Sequence, residues 1–226
     1  MLYRKIQPYI ESYLKSDSNK VLIIDGARQI GKTFIIRHVG QQLFENYSEL
    51  NFAEDYNGPR LLEQVRTVKD FYFQVSTIAG ERMGEKKNTL IFLDEIQAYP
   101  HLLTMLKFLK QDDRYTYIAS GSLLGVTLKK TTSIPIGSIE IKRMFPLDFE
   151  EFLLANGFNR FAIDMMHEKF LTGESLDAAM HEKVMDLFKK YLLIGGLPDA
   201  VNSFIADTNI VKVRTIHRDI RAFYAD

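Results

Sequence analysis

The sequence contains no cysteine, and this absence excludes several kinds of site at once. A disulfide framework, a thiolate metal site and a cysteine nucleophile are all ruled out. Nowhere do about 18 uncharged apolar residues follow one another, so the sequence predicts no membrane span. The residues after Met1 contain no long apolar stretch either, and no signal peptide is predicted. A chain without disulfides suits a reducing compartment, and we therefore predict a cytoplasmic protein.

An excess of charge of either sign is also missing. Lys and Arg number 29, Asp and Glu number 29, and the pI is about 7.0. This balance removes the usual electrostatic argument for nucleic-acid or membrane-surface binding, although a local basic patch would be compatible with it. The five histidines are scattered and the zinc pattern His-Glu-x-x-His is absent. With 46% hydrophobic and 26% charged residues, the chain has the composition of a globular protein.

Short apolar runs alternate with longer amphipathic stretches over the first two thirds of the chain. We predict strands at residues 21–25, 48–52, 89–93, 115–119 and 136–144. We predict helices at residues 33–45 and from Pro100 through Leu109, and two short helices between Asp55 and Gly80. Such alternation implies βαβ units. The predicted fold is therefore α/β, with a five-stranded parallel sheet flanked by helices.

The pattern changes after Phe145-Pro146-Leu147. Residues 148–156 are typical of a helix, and the remainder is helical with interruptions at three glycine positions. We therefore predict two parts, a core of residues 1–145 and a small helical lid with a connecting segment at residues 146–226. Within the core, Lys129–Ser138 is rich in Lys, Thr, Ser, Pro and Gly, which predicts a mobile loop.

A glycine-rich loop is the most specific motif in the sequence and fits G-x-x-x-x-G-K-T, the Walker A pattern, without a mismatch. Its residues are Gly26, Ala27, Arg28, Gln29, Ile30, Gly31, Lys32 and Thr33. Successive backbone N–H groups of such a loop converge on a polyphosphate, and its glycines let it curl. Lys32 can reach the β- and γ-phosphates, and Thr33 offers a hydroxyl to Mg²⁺. The loop lies between a predicted strand and a predicted helix, so we predict a nucleotide site. For Arg28 and Gln29 a purely solvated position at the loop tip is the alternative.

Two adjacent carboxylates, Asp94 and Glu95, end the apolar strand at 89–93, as in a Walker B motif. In open parallel sheets, ligands lie beyond the carboxyl ends of the strands, where the glycine-rich loop is also expected. We predict that Asp94 holds Mg²⁺, directly or through water, and that Glu95 orients a water for attack on the γ-phosphorus. The structural alternative is that both residues merely cap the next helix.

Three further segments have two interpretations each. Ser120 and Ser122 end the fourth predicted strand, where their hydroxyls face the γ-phosphate or attacking water, or else cap a turn. Arg114 and Arg143 are candidate arginine fingers for a neighbouring subunit, with packing at the surface or core edge as the alternative. The string at 195–198, Gly-Gly-Leu-Pro, is a helix stop and restart, or else a segment that packs the lid against the nucleotide.

Taken together, these strings resemble the prokaryotic AAA-type P-loop ATPases related to archaeal ATPases. The strings are residues 26–33, 93–97 and 120–122, with residues 144–152 and 195–201 similar to the family's downstream motifs. The likeness runs from Tyr3 to about Ile220. The resemblance implies an AAA-like core with the second acidic motif on a central strand, followed by a helical lid. It also implies roles for individual residues: Lys32 and Thr33 bind phosphate and Mg²⁺, Asp94 binds Mg²⁺, Glu95 is the catalytic base, and Ser120 or Ser122 stands near the sensor position.

One departure from the family pattern bears on activity. Relatives often carry Gly-Arg before the fifth strand, whereas this chain has Gly137-Ser138. The resemblance therefore implies slower hydrolysis or dependence on another basic residue. Longer relatives continue into a C-terminal domain with a nuclease-like fold, so we expect this chain to be a truncated product or the N-terminal part of a larger protein.

Two functions from different classes follow from these motifs. The first is a Mg²⁺-dependent ATPase that hydrolyses ATP to ADP and phosphate and is coupled to an unidentified macromolecular partner or to the missing C-terminal domain. The second is a nucleotide-gated interaction module with little turnover, in which ATP binding closes the lid. A homo-oligomer is compatible with both. A small-molecule kinase is disfavoured by Glu95 and by the lack of an Arg-rich lid, and a GTPase by the lack of Asn-Lys-x-Asp.

Overall fold

The computed structural model describes residues 1–80, 84, 88–122 and 136–225. The chain forms two compact units, one of Ile6–Met144 and one of Met1–Lys5 with Phe145–Asp226. The division into an ATPase core and a lid stays a prediction. The sequence assigned residues 1–5 to the core, whereas the structure groups them with the second unit. Residues 129–135 of the predicted mobile loop lie outside the described residues.

The first unit is built on a five-stranded parallel sheet, which confirms the predicted fold class. Its strands are β1 (Val21–Asp25), β2 (Asn46–Asn51), β3 (Thr89–Asp94), β4 (Thr116–Gly121) and β5 (Ile139–Arg143). Their spatial order is β2-β3-β4-β1-β5, and every neighbouring pair is parallel. The helices are α1 (Gln7–Leu14), α2 (Lys32–Leu43), α3 (Phe52–Asn57), α4 (Val68–Ala79) and α5 (Pro100–Asp112).

Burial explains why the central strands are nearly continuous apolar runs. Every residue of β1 and β3 is buried, as expected for a parallel sheet with both faces covered by helices. One core cluster joins Ile91 and Leu93 of β3 to Leu103 and Leu106 of α5. The apolar stripe predicted for α5 is therefore confirmed as a core-facing surface.

The end of β2 differs from the sequence prediction. We predicted a strand through Phe52, but Asn51 ends the strand and Phe52 begins α3. The Asn51 side chain accepts hydrogen bonds from the backbone N–H groups of Ala53 and Glu54, which is the bonding pattern of a helix N-cap. The β-favouring side chain of Phe52 is instead fully buried from the first position of a helix.

The second unit is helical, as the sequence predicts for this region. Its helices are α6 (Phe149–Ala155), α7 (Arg160–Thr172), α8 (Ala178–Ile194), α9 (Pro198–Asp207) and α10 (Ile210–Ala225). Asp148 and Glu151 form a capping box at the start of α6. The buried Glu151 carboxylate also accepts from Arg4 Nε at 3.3 Å and from the Lys5 backbone N–H at 2.6 Å. These bonds explain why the N-terminal residues belong to this unit.

The glycine pair between α8 and α9 ends one helix and allows a close backbone contact. Gly195 has a positive φ of 70° at the end of α8, and Pro198 begins α9. A Cβ on Gly196 would lie 2.0 Å from the carbonyl oxygen of Leu147. The backbone N–H of Leu147 donates to the carbonyl oxygen of Gly196 at 2.7 Å. The helix stop and restart predicted for this string is therefore observed. In the described parts of both units, no helix has the length and apolar character needed to cross a membrane.

Candidate functional site

The glycine-rich loop joins β1 to α2 and depends on both of its glycines. Gly31 precedes α2 with φ 90° and ψ 22°, a left-handed conformation that glycine adopts without steric cost. A Cβ on Gly26 would lie 2.4 Å from the carbonyl oxygen of Met144 and 2.7 Å from Ile30 Cδ1. Side chains larger than hydrogen are therefore excluded at Gly26 by the backbone that follows β5.

The tip of the loop is exposed and its base is anchored in the core. Ala27, Arg28 and Gln29 are exposed, whereas Ile30 is fully buried. Gln29 has a positive φ of 61°, which is uncommon for a residue with a side chain. Exposure of Arg28 and Gln29 is expected under both interpretations of the loop tip. A contact of their backbone with a nucleotide stays a prediction.

Lys32 is the first residue of α2, and its side chain folds back across the loop. The residue is 4% exposed, and Nζ donates to the carbonyl oxygens of Gly26 at 3.0 Å and Ala27 at 2.7 Å. Burial lowers the pKa of Lys32, while the charges of Glu95 and Asp94 oppose this shift. The buried ammonium therefore lies at the mouth of the loop, within the electrostatic influence of the acidic pair.

Asp94 at the end of β3 is connected to the glycine-rich loop and to β4. Thr33 Oγ1 donates to Asp94 Oδ2 at 2.9 Å, and the Ser120 hydroxyl donates to Asp94 Oδ1. The Glu95 backbone N–H also donates to Oδ1, at 3.2 Å. Asp94 is 2% exposed, and burial raises the pKa of its carboxyl group, with the bonds from Ser120 and Thr33 acting in the opposite direction.

These residues fit a magnesium ion. Thr33 and Asp94 present oxygen ligands 2.9 Å apart, and oxygen is the donor that Mg²⁺ prefers. Within the described residues, no group of three or more His, Asp or Glu side chains could hold a metal ion. A cation at Thr33 and Asp94 would therefore take its other ligands from phosphate oxygens and water, as Mg²⁺ commonly does. The cation would also stabilise the ionised form of Asp94, which burial disfavours.

Glu95 follows β3 in a left-handed conformation, with φ 54° and ψ 46°. Its Oε2 accepts from the Ser122 hydroxyl at 3.1 Å and from the Gln97 side-chain amide. Gln97 Nε2 also lies 3.0 Å from Ser122 Oγ, and the Ser122 backbone N–H donates to Gln97 Oε1 at 3.2 Å. The sequence alone predicts no role for Gln97, although this residue stands only two positions after Glu95. These partners do not favour a role for Glu95 that is limited to helix capping.

Ser120 near the end of β4 and Ser122 just after it therefore both contact the acidic pair. Ser120 is fully buried against Asp94, and Ser122, which is 3% exposed, holds Glu95 and Gln97. Direct contact of either hydroxyl with a nucleotide stays a prediction.

The two candidate arginine fingers occupy opposite ends of the sheet. Arg143 ends β5 at the edge where the glycine-rich loop lies, and its Nε is 3.8 Å from Asp25 Oδ2. Arg114 precedes β4, its Nε lies 3.6 Å from Asp112, and its guanidinium lies 4.4 Å from the centre of the Tyr72 ring. These contacts agree with packing at the surface or core edge, and both side chains are more than half exposed. Action on a neighbouring subunit stays a prediction for both arginines.

The arrangement of sheet, loop and acidic pair defines a class of protein. A phosphate-type loop after β1, two carboxylates at the carboxyl end of β3, and β4 inserted between those strands characterise a P-loop nucleotide-binding fold. Residues 18–153, more than half of the chain, match the AAA domain family, and the chain belongs to that family. The AAA-type ATPase family predicted from the sequence is thereby confirmed, and this family implies nucleotide binding. No curated protein shows significant similarity to the chain.

Several solved structures share this fold at low sequence identity. A Walker-type ATPase of Pyrococcus abyssi is 12% identical with a TM-score of 0.55, and the match covers 98% of this chain and 72% of that one. PCH-2 of C. elegans is 15% identical with a TM-score of 0.51, covering 90% and 62%. The Hsp104–ADP complex of S. cerevisiae is 18% identical with a TM-score of 0.50, covering 88% and 29%. Identities this low establish the fold alone, and the chain spans less than two thirds of the last two proteins.

Proposed function

We propose that the protein is a Mg²⁺-dependent ATPase that hydrolyses ATP to ADP and phosphate. The observation that carries the proposal is the 2.9 Å hydrogen bond from Thr33 to Asp94, with Glu95 next in the chain. This contact unites the glycine-rich loop and the acidic pair in a single site. Phosphoryl transfer to water needs both parts, one to hold the triphosphate and one to position the nucleophile.

The loop supplies the groups that bind the triphosphate. Backbone N–H groups of residues 26–33 and the positive end of the α2 dipole attract the phosphate oxygens. Lys32 exchanges its carbonyl partners, Gly26 and Ala27, for oxygens of the β- and γ-phosphates. Since the Lys32 side chain is already buried at the loop mouth, little of its conformational freedom remains to be lost on binding.

Thr33 and Asp94 are the residues that would hold Mg²⁺. When bound, the ion neutralises charge on the β- and γ-phosphate oxygens. Ser120 and the Glu95 backbone N–H donate to one oxygen of Asp94, which orients the carboxylate toward Thr33. Such supporting bonds stabilise the charged form of a buried carboxylate.

Glu95 is the proposed general base. Its carboxylate accepts a hydrogen bond from a water molecule and takes up a proton as the water oxygen bonds to the γ-phosphorus. The bond between the γ-phosphorus and the bridging oxygen breaks, and that electron pair leaves with ADP. Lys32 stabilises the negative charge that develops on the phosphate oxygens during the transfer.

A nucleotide-gated interaction module with little turnover is the second candidate. It is favoured by Gly137-Ser138 at the position where relatives often carry an arginine, and by the ion pair that engages Arg143 with Asp25. Loss of an arginine finger lowers turnover by roughly 10³- to 10⁵-fold in nucleotide hydrolases. Both candidate functions, the ATPase and the interaction module, include as proposals a macromolecular partner, a homo-oligomer and a cytoplasmic location.

Phosphate release by wild-type protein and by Glu95→Gln, each with and without Mg²⁺, tests the proposal. Wild type should release phosphate from ATP only with Mg²⁺, and Glu95→Gln should lose about 100-fold or more of this rate while ATP still binds. Normal turnover of Glu95→Gln would remove Glu95 as the base. ATP binding by wild type with no release above Glu95→Gln would support the interaction module instead.

A further inference from the structure

Gln97 uses both ends of its side-chain amide in the site. Its Oε1 accepts from the backbone N–H of Ser122 at 3.2 Å, and its Nε2 contacts the Glu95 carboxylate and lies 3.0 Å from Ser122 Oγ. A backbone N–H can only donate and an ionised carboxylate can only accept. The amide therefore has one orientation that satisfies both partners, with its oxygen toward Ser122 N and its nitrogen toward Glu95.

The short turn after Glu95 presents the Gln97 side chain to the carboxylate. Residues Ile96–Ala98 form a 3₁₀ turn that the left-handed Glu95 begins, and the Ala98 N–H donates to the Glu95 carbonyl at 3.0 Å. Ile96 is fully buried in the core cluster, which anchors the turn. Gln97 is consequently held on a rigid segment next to the residue that it contacts.

The hydrogen bonds to Glu95 are asymmetric. In the part of the chain that the structure describes, the side-chain donors Gln97 and Ser122 both reach Oε2. The other carboxylate oxygen keeps its capacity to accept from water. Burial lowers the pKa of Lys32 and the charge of Glu95 raises it, so this carboxylate lies within electrostatic reach of the loop mouth.

We infer that Gln97 is a positioning residue that, together with Ser122, fixes one oxygen of Glu95 so that the other meets the attacking water. The inference rests on the proposed ATPase function and names a residue that the sequence motifs left without a role. Gln97 acts through Glu95, whose carboxylate would otherwise sample several side-chain rotamers. A small displacement of a catalytic group is enough to reduce the rate strongly.

Gln97→Met tests the inference because methionine keeps the length of the side chain and removes its hydrogen bonds. We expect kcat to fall about 10- to 100-fold while the affinity for ATP stays unchanged. Ser122→Ala removes one donor to Glu95 and one partner of Gln97, and should lower kcat in the same way. The matched control is Gln111→Met on the exposed surface of α5, which should leave kcat unchanged.

A double-mutant cycle separates positioning from a general structural role. In the Glu95→Gln background, Gln97→Met should cause no further loss of phosphate release, because residues that act as a unit are not additive. If the losses in the rate of phosphate release from the two substitutions multiply in the double variant, the inference is overturned. A weaker ATP affinity of Gln97→Met with unchanged kcat would overturn it as well. Far-ultraviolet circular dichroism and ATP binding identify any variant that fails to fold, and Ser122→Ala then decides the question.

Failure of this inference is distinguishable from failure of the proposed function. If wild type releases no more phosphate than Glu95→Gln, both the ATPase proposal and the role of Gln97 are wrong. If wild type is active, Glu95→Gln is not, and both Gln97→Met and Ser122→Ala turn over like wild type, the role of Gln97 alone is wrong.

Discussion

The Thr33 hydroxyl oxygen lies 2.9 Å from a carboxylate oxygen of Asp94, although 61 positions separate the two residues in the chain. Thr33 opens the helix after β1, and Asp94 ends β3, which is separated from β1 in the sheet by β4. The contact is possible because the carboxyl ends of parallel strands share one edge of the sheet. It joins the phosphate-binding half of the candidate site to the half that would position water.

Lys32→Ala should strongly weaken ATP binding and abolish phosphate release. The variant loses a buried cation whose hydrogen bonds to charged oxygens contribute about 1.5–3 kcal/mol each, so affinity should fall roughly 100-fold or more. Isothermal titration with ATP measures the effect. Lys107→Ala, at an exposed position of α5, is the control and should bind ATP like wild type. Unchanged ATP affinity in Lys32→Ala would contradict the assignment of the phosphate site.

Asp94→Asn should uncouple ATP binding from Mg²⁺. The substitution keeps the size of the side chain but removes the negative charge that would hold the cation, so added Mg²⁺ should no longer strengthen ATP binding or support turnover. ATP titrations with Mg²⁺ and with a chelator measure the difference. The control Asp17→Asn, exposed between α1 and β1, should keep the Mg²⁺ response of wild type. A full Mg²⁺ response in Asp94→Asn would show that the metal binds elsewhere.

Gly26→Ala should destabilise the first unit and impair the loop. The added methyl would lie 2.4 Å from the Met144 carbonyl oxygen, a backbone atom that cannot rotate away, and overpacking of this kind costs about 1–3 kcal/mol. Urea unfolding measures the loss. Gly137→Ala is the matched control, because its Cβ would meet no atom of the described residues within 4 Å, and we expect a change within about 0.5 kcal/mol. Equal stabilities of the two variants would contradict the close approach at Gly26.

His101 should make folding stability depend on pH in weakly acidic solution. Its Nε2 is buried and has no hydrogen-bond partner among the described residues, and burial together with the charge of Arg66 lowers the pKa of His101. The pKa of His101 in the folded protein lies below its unfolded value of 6.5. Neutral His101 therefore makes its full contribution to folding stability above pH 6.5, and this contribution is lost as the pH falls through the folded pKa. Between pH 8 and pH 5, the melting temperature should fall less steeply for His101→Gln than for wild type. If the melting temperatures of the two proteins fall in parallel with pH, His101 is not the source of the pH dependence.

Features formed by neighbours along the chain could be predicted from the sequence. The apolar runs of β1 and β3 predict buried strands because both faces of this sheet are covered. The wrong prediction at Phe52 has an equally local cause, since the Asn51 side chain accepts from the N–H groups of Ala53 and Glu54 and so starts a helix. Helix α1 was not predicted because its short segment buries Ile10 alone and so shows little periodicity.

The amino-acid sequence alone specifies the glycine-rich loop, the acidic pair and the alternation of strands and helices. These features depend on residues adjacent in the chain, whose conformational and chemical preferences are local. Only the folded sheet brings Thr33 to Asp94, and Ser122 to Glu95 and Gln97. Those contacts depend on the strand order β2-β3-β4-β1-β5, which long-range packing of the core selects and no local pattern encodes.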